Sequence, residues 1–199
     1  MKNLVMMTLL VGFQIMANAQ KNYKLDVRSS KLQWKISTMG NHFGYLLFSK
    51  GMLNYAVNGK PLSGDFVMDM NSIRSTDGKK PEDIARVNKS IKEPDFFDVK
   101  KYPNAIMKVE KILPAGKQNY YKINGKLTIR GITKPIDFYA TIKETAGMVN
   151  IFAETTIDRT EWNIHHKPKP KTSDFFKVIK DKMMENEINI LLNLWLTKQ

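Results

Sequence analysis

Three histidines, His42, His165 and His166, are the natural candidates for metal or proton chemistry in this sequence, which has no cysteine. Adjacent residues on a strand point to opposite faces, so His165 and His166 are poorly placed to hold one ion together, although on a loop they can. No companion ligands fall at the spacing of a zinc site, and a surface or mouth-lining pair is the plainer reading. His42 sits in Gly40-Asn-His-Phe-Gly44, a glycine-flanked bend suited to the rim of a pocket. The lack of cysteine excludes thiol nucleophiles, thiol redox work and Cys-ligated zinc. G-x-G-x-x-G and a phosphate loop are absent, as are the G-x-S-x-G elbow and the H-E-x-x-H helix. A serine triad assembles only in space, and nothing in the residue order favours one. The expectation is a protein that is not an enzyme and needs neither cofactor nor metal.

The beginning of the chain points to export. Met1-Lys2-Asn3 gives a short positive start, Leu4 to Met16 an apolar run, and Ala17-Asn18-Ala19 the small residues that signal peptidase needs. Residues 1–19 are therefore expected to be a signal peptide and 20–199 one domain, periplasmic or secreted. Formal net charge is +13; removing Lys2 with the signal leaves 13 − 1 = +12. In an exported chain, nucleic acid is not the expected partner. A transient contact with an anionic membrane surface, or a solvated basic surface with no specific partner, fits better. An oligomer is compatible with the sequence.

The elements that must position any site follow a period of two. Leu32, Trp34 and Ile36 alternate with polar residues, as do Phe66, Met68 and Met70, then Met107 and Val109. Tyr121, Ile123, Leu127 and Ile129 share one face. So do Ile136, Phe138, Ala140 and Ile142, and likewise Val149, Ile151, Ala153, Thr155 and Ile157. Each run reads as a half-buried strand. Turn signals at Asn58-Gly59-Lys60-Pro61, Asp77-Gly78, Pro114-Ala115-Gly116, Gly131 with Pro135, and Ala146-Gly147 separate them. The last run, Ile188 to Leu196, carries Leu191 and Trp195 on its other face, and a strand partly buried on both sides is expected. Ile84, Val87 and Ile91 recur at helical spacing between Pro81 and Pro94, which predicts a short amphipathic helix. Many strands and one helix mean a sandwich or a barrel. A barrel of eight strands can be packed solid or hold one ligand, and periodicity does not decide which.

Particular motifs narrow the fold. Asp95-Phe-Phe-Asp-Val99 with Lys101-Tyr-Pro103 resembles the "FFdv…yP" segment of the YceI-like, polyisoprenoid-binding family. Gly125-Lys-Leu-Thr-Ile-Arg-Gly-Ile-Thr-Lys-Pro135 is similar to its "G-x-LTIRGvTkpv" hairpin almost letter for letter. Asn71-Ser-Ile73 with Thr76, Ile157-Asp-Arg-Thr-Glu-Trp162, Ser173-Asp-Phe-Phe176 with Asp181, and the opening Tyr23-x-Leu-Asp26 follow in the family's order. The pattern G-x-F-x-x-f-x-G fits Gly44-Tyr-Leu-Leu-Phe48-Ser-Lys-Gly51 only approximately, and Lys167–Lys171 is unusually basic.

The resemblance implies an extended, lipocalin-like antiparallel barrel of eight strands with a short helix. It also implies binding of a polyisoprenoid, isoprenoid quinone or fatty-acid-like lipid inside, with no catalysis. Trp34, Ile36, Phe43, Phe48, Phe66, Met68, Phe96, Phe97, Leu127, Ile129, Phe138 and Trp162 are then the expected ligand contacts. His42, Arg130, Lys134 and Lys167 are the expected mouth residues, meeting a phosphate or quinone oxygen. The competing expectation is a solid-core exported β-domain acting through its basic surface on acidic envelope components.

Overall fold

The computed structural model describes residues 21–37, 41–164 and 186–199. The expected signal peptide, His165, His166, Lys167, Lys169, Lys171, the Ser173–Phe176 stretch and Asp181 lie outside them. Nine strands form one antiparallel sheet: β1 (Asn22–Leu25), β2 (Lys31–Ser37), β3 (Asn41–Tyr55), β4 (Pro61–Ser75), β5 (Asn104–Pro114), β6 (Tyr120–Ile129), β7 (Ile132–Thr145), β8 (Met148–Asp158) and β9 (Glu187–Lys198). Among the described residues, one helix, α1 (Pro81–Ser90), follows β4, and one 3₁₀ turn, Arg159–Trp162, follows β8.

Neighbouring strands run β3-β2-β9-β8-β7-β6-β5-β4, and β4 pairs back onto β3, so the sheet closes. β1 and β2 together make one stave. β1 lies between β3 and β9 at Tyr23, opposite Leu53 and Lys198. β2 lies between the same strands at Trp34, opposite Gly44 and Ile190. The break between them is an Asp26 turn, whose carboxylate accepts from the Arg28 and Ser29 amides at 3.0 and 3.4 Å. The result is a closed barrel of eight antiparallel staves, the architecture that the motifs implied.

Alternation puts the apolar residues inside. Ile123, Leu127 and Ile129 of β6 pair with Phe138, Lys134 and Ile132 of β7 on the inner face. β3 departs from the reading of residues 40–44 as a bend: it is one strand from Asn41 to Tyr55. Its pairing with β4 shifts between Tyr45 and Leu47, between Phe48 and Lys50, and between Asn54 and Tyr55. A bulge adds a residue and moves the inner face by one, so Leu46 and Phe48 are buried on one phase and Gly51, Leu53 and Tyr55 on the other. The outer face of β9 is also less buried than expected, with Leu191 half-buried and Trp195 39% exposed.

Among the described residues the wall has one seam. β7 pairs with β6 from Ile132 to Thr141, but with β8 only from Ala140, opposite Ala153, onward. The 3₁₀ turn lies against β7. Trp162, 2% exposed, donates its Nε1–H to the Leu127 carbonyl at 3.2 Å. Buried Arg159 donates to the Ile164 carbonyl at 2.7 Å and to Asn186 Oδ1 at 3.4 Å. Arg130 and Gly131 form the β6–β7 turn with φ of 51° and 73°, and Arg130 reaches the carbonyls of Asn163 and Pro94. Two of the motifs that carry the resemblance thus serve to fasten this corner.

Candidate functional site: a hollow at one end of the barrel

The inner faces of β2, β4, β6, β8 and β9 converge beneath α1 around a cavity of about 560 Å³. That lies in the range of ligand-holding clefts, about 300–1,000 Å³. Its wall is almost wholly apolar: Leu32, Trp34 and Ile36, Leu46, Met68, Met70 and Ile73, Ala105, Leu127 and Ile129, Ile157, Ile188 and Ile190. Phe96 and Phe97, set edge-to-face with centroids 4.9 Å apart, line it from the turn after α1. Helix α1 lies across the opening with Val87 and, just past its end, Ile91 turned inward. Pro81 at its first turn and Glu82 and Asp83 beside it start the helix as expected. No residue within it is fully buried, which suits a helix laid over a mouth rather than packed into a core.

The polar groups of this cavity are few. Arg86 and Ser90 come from α1 and His42 from the start of β3. Arg86 is 77% exposed and pairs with Asp83. The His42 Nδ1 lies 2.6 Å from Asp77 Oδ2. A carboxylate only accepts, so Nδ1 carries the proton and Nε2 is the ring's other polar atom. Burial pushes the Asp77 carboxyl up, but hydrogen bonds from Ser75, His42 and the Phe43 amide together hold it below the ordinary carboxylate range. The imidazole is therefore oriented by an ionised partner. Trp34 adds one anomaly: its Nε1 is buried with no partner among the described residues. Leaving a buried donor unpaired costs about 1–3 kcal/mol.

Most of the residues anticipated from the sequence meet here. Trp34, Ile36, Met68, Phe96, Phe97, Leu127 and Ile129 line the cavity, with His42 among its few polar groups. Phe48, Phe66 and Phe138 lie deeper, around a remnant space of only about 80 Å³. Four placements differ. Phe43 is 48% exposed on the outer face, opposite Lys35, because His42 faces inward and its strand neighbour must face out. Trp162 is packed in the seam and lines neither space. Arg130 is engaged by the backbone carbonyls of Asn163 and Pro94 and lines neither space. Lys134 is half-buried on the inner ladder opposite Leu127 but lines neither space. Sequence reasoning left out Leu46, Ile73, Arg86, Val87, Ser90, Ile91 and Ala105, and with them Leu32, Met70, Ile157, Ile188 and Ile190. The last five were readable, since all lie on the apolar phase of their strands.

The residues from 23 to 195 match the YceI-like domain family. The chain belongs to that family. A UPF0312 protein of Pseudomonas putida is 31% identical over 122 residues, which cover 60% of this chain and 60% of that protein. A UPF0312 protein of Vibrio vulnificus is 29% identical over 143 residues, covering 67% of this chain and 69% of the relative. The fold superposes on Burkholderia cenocepacia BcnA with a TM-score of 0.66 at 22% identity, covering 86% of this chain and 98% of that one. It also superposes on a polyisoprenoid binding domain from Saccharophagus degradans, implicated in plant cell wall breakdown, with a TM-score of 0.63 at 15% identity, covering 89% and 98%. Within this YceI-like barrel, the Phe96-Phe97 motif lines the cavity, while Arg130, Arg159 and Trp162 hold together the corner beside it.

Proposed function

We propose that this protein holds the tail of an apolar or amphiphilic lipid in the hollow beneath α1, for storage or transport, and does so by binding rather than catalysis. The observation that carries the reading is a cavity of about 560 Å³ whose wall is aliphatic and aromatic on nearly every side. Water in such a space gains few hydrogen bonds, whereas each methylene moved there from solvent gains about 0.8 kcal/mol. A few polar groups then suffice to orient the head. His42, steered by Asp77, with Ser90 and Arg86, supplies them, and Nε2 of His42 accepts from a hydroxyl or, when protonated, donates to a phosphate or carboxylate. The polyisoprenoid binding domain of Saccharophagus degradans shares the fold, which supports an isoprenoid or similar lipid as the class. The competing solid-core reading finds no support in this hollow half.

Export through the signal at residues 1–19, action in the periplasm or outside the cell, and a passing contact with an anionic membrane are parts of the same proposal. Native mass spectrometry of the gently purified protein tests its centre. The expected spectrum shows an added mass of a few hundred daltons or more that organic extraction removes. A bare polypeptide mass, together with no uptake of an apolar dye, would falsify the carrier reading.

A further inference from the structure

The interior is not one tube. Four residues border both the large cavity and the small deep space: Leu32 from β2, Met68 from β4, Leu127 from β6 and Ile190 from β9. Coming from four separate staves, they stand where the two spaces meet, and small barrels can have their interiors filled by such side chains. Leu32, Met68 and Leu127 are 7%, 4% and 6% exposed. Below them the lumen is occupied by Phe48, Phe66 and Phe138. Phe66 is seated by Gly51: a Cβ there would fall 2.6 Å from its Cδ1. Further down, Leu53, Tyr23, Val149 and Leu196 are at most 1% exposed.

A methylene is about the size of a water molecule, whose share of liquid volume is about 30 Å³. The hollow of 560 Å³ divided by 30 therefore takes roughly 19 such groups. The deep space of 80 Å³ takes roughly three more, but only past these four side chains. Resting on the lipid-carrier reading, we propose that the Leu32–Met68–Leu127–Ile190 layer is a floor that limits the tail to about fifteen to twenty carbons. The ligand is a short isoprenoid or an ordinary acyl chain with one polar end at His42. A polyprenyl chain of forty or so carbons overfills this barrel, because extra length must either unpack the phenylalanines or stay in water.

The test is a length series on the purified protein in constant detergent, read by displacement of 1-N-phenylnaphthylamine. The probes are geraniol, farnesol, geranylgeraniol and solanesol. Affinity is expected to rise by at least about tenfold per isoprene unit up to geranylgeraniol and to stay within about threefold from there to solanesol. Straight fatty alcohols from ten to thirty carbons are expected to level off near the same carbon count, and the series with the tighter plateau identifies the tail class. Affinity that keeps climbing to solanesol, or to the thirty-carbon alcohol, overturns the floor while leaving the carrier reading intact. If no member of either series displaces the dye, both fall. Met68→Ala with Phe66→Leu is expected to move the plateau to longer tails by at least one isoprene unit; an unmoved plateau in a folded variant overturns the role given to the layer.

Discussion

The two ends of this barrel are built from the same alternating strands and end up different. Toward β1 and the β7–β8 turn the interior is packed: Tyr23 and Tyr55 stack obliquely at 4.9 Å, and the Tyr23 hydroxyl donates to Glu144. Burial first, then Glu144, pushes the Tyr23 phenol up to about 12, so it remains a neutral donor. Toward α1 the strands carry mainly Ile, Leu and Met, the packed half adds Phe48, Phe66, Phe138, Tyr23 and Tyr55 to its aliphatic residues, and about 560 Å³ is left open at the α1 end. The packed half pays for the hollow one. Folding free energy concentrates where side chains touch on all sides, and the half with fewer contacts is free to receive a guest.

Substitutions in the two halves should separate these roles. The largest effect is expected for Leu53→Ala, 1% exposed in the packed half, with a loss of about 3 kcal/mol in urea unfolding. Ile129→Ala in the cavity wall should cost about 1–1.5 kcal/mol, since its side chain borders open space and has fewer contacts to lose. An equal loss at both positions would erase the contrast. Asp77→Asn should cost about 1–2 kcal/mol at neutral pH by weakening the bonds from His42 and Ser75. Because the folded-state pKa of Asp77 is depressed, its contribution is present above the ordinary value of 3.8 and is lost as pH falls through the folded value. The stability gap between wild type and variant should therefore close in acid, and a gap that persists there argues against an ionised partner. The smallest effect is expected for Trp34→Phe, which removes an unpaired buried N–H and keeps a ring. Stability should be unchanged or higher by up to about 1 kcal/mol, as thermal or urea unfolding will show.

Much of this architecture is legible in the sequence. The inner faces of β6, β7, β8 and β9 follow residue by residue from alternation, because a one-residue slip would expose every apolar side chain. Helix α1 was readable from Pro81 and the Ile84-Val87-Ile91 spacing. β3 was not, because its bulges switch the inner phase between Phe48 and Gly51 and its glycines imitate a turn. The same misread segment put Phe43 inside. Alternation also says which way a side chain points but not how much space it leaves. It therefore grouped Phe66 with Met68 as ligand contacts, although Phe66 lies beneath the layer that Met68 helps to form. Arg130 and Lys134 carried the right charge for a head group, but a left-handed turn and the inner ladder commit them elsewhere.

The seam beside the cavity has a consequence for how the protein behaves at high concentration. Among the described residues, no strand pairs with β7 on its β8 side before Ala140. A bare strand edge is a template on which another chain can add, the first step of swapping or fibril growth. Pro135 stands in that stretch and has no amide hydrogen to offer. Lys134 beside it would take its charge into any new pair. Among the described residues, this unpaired stretch of β7 is also where a recruited strand would find a poor match.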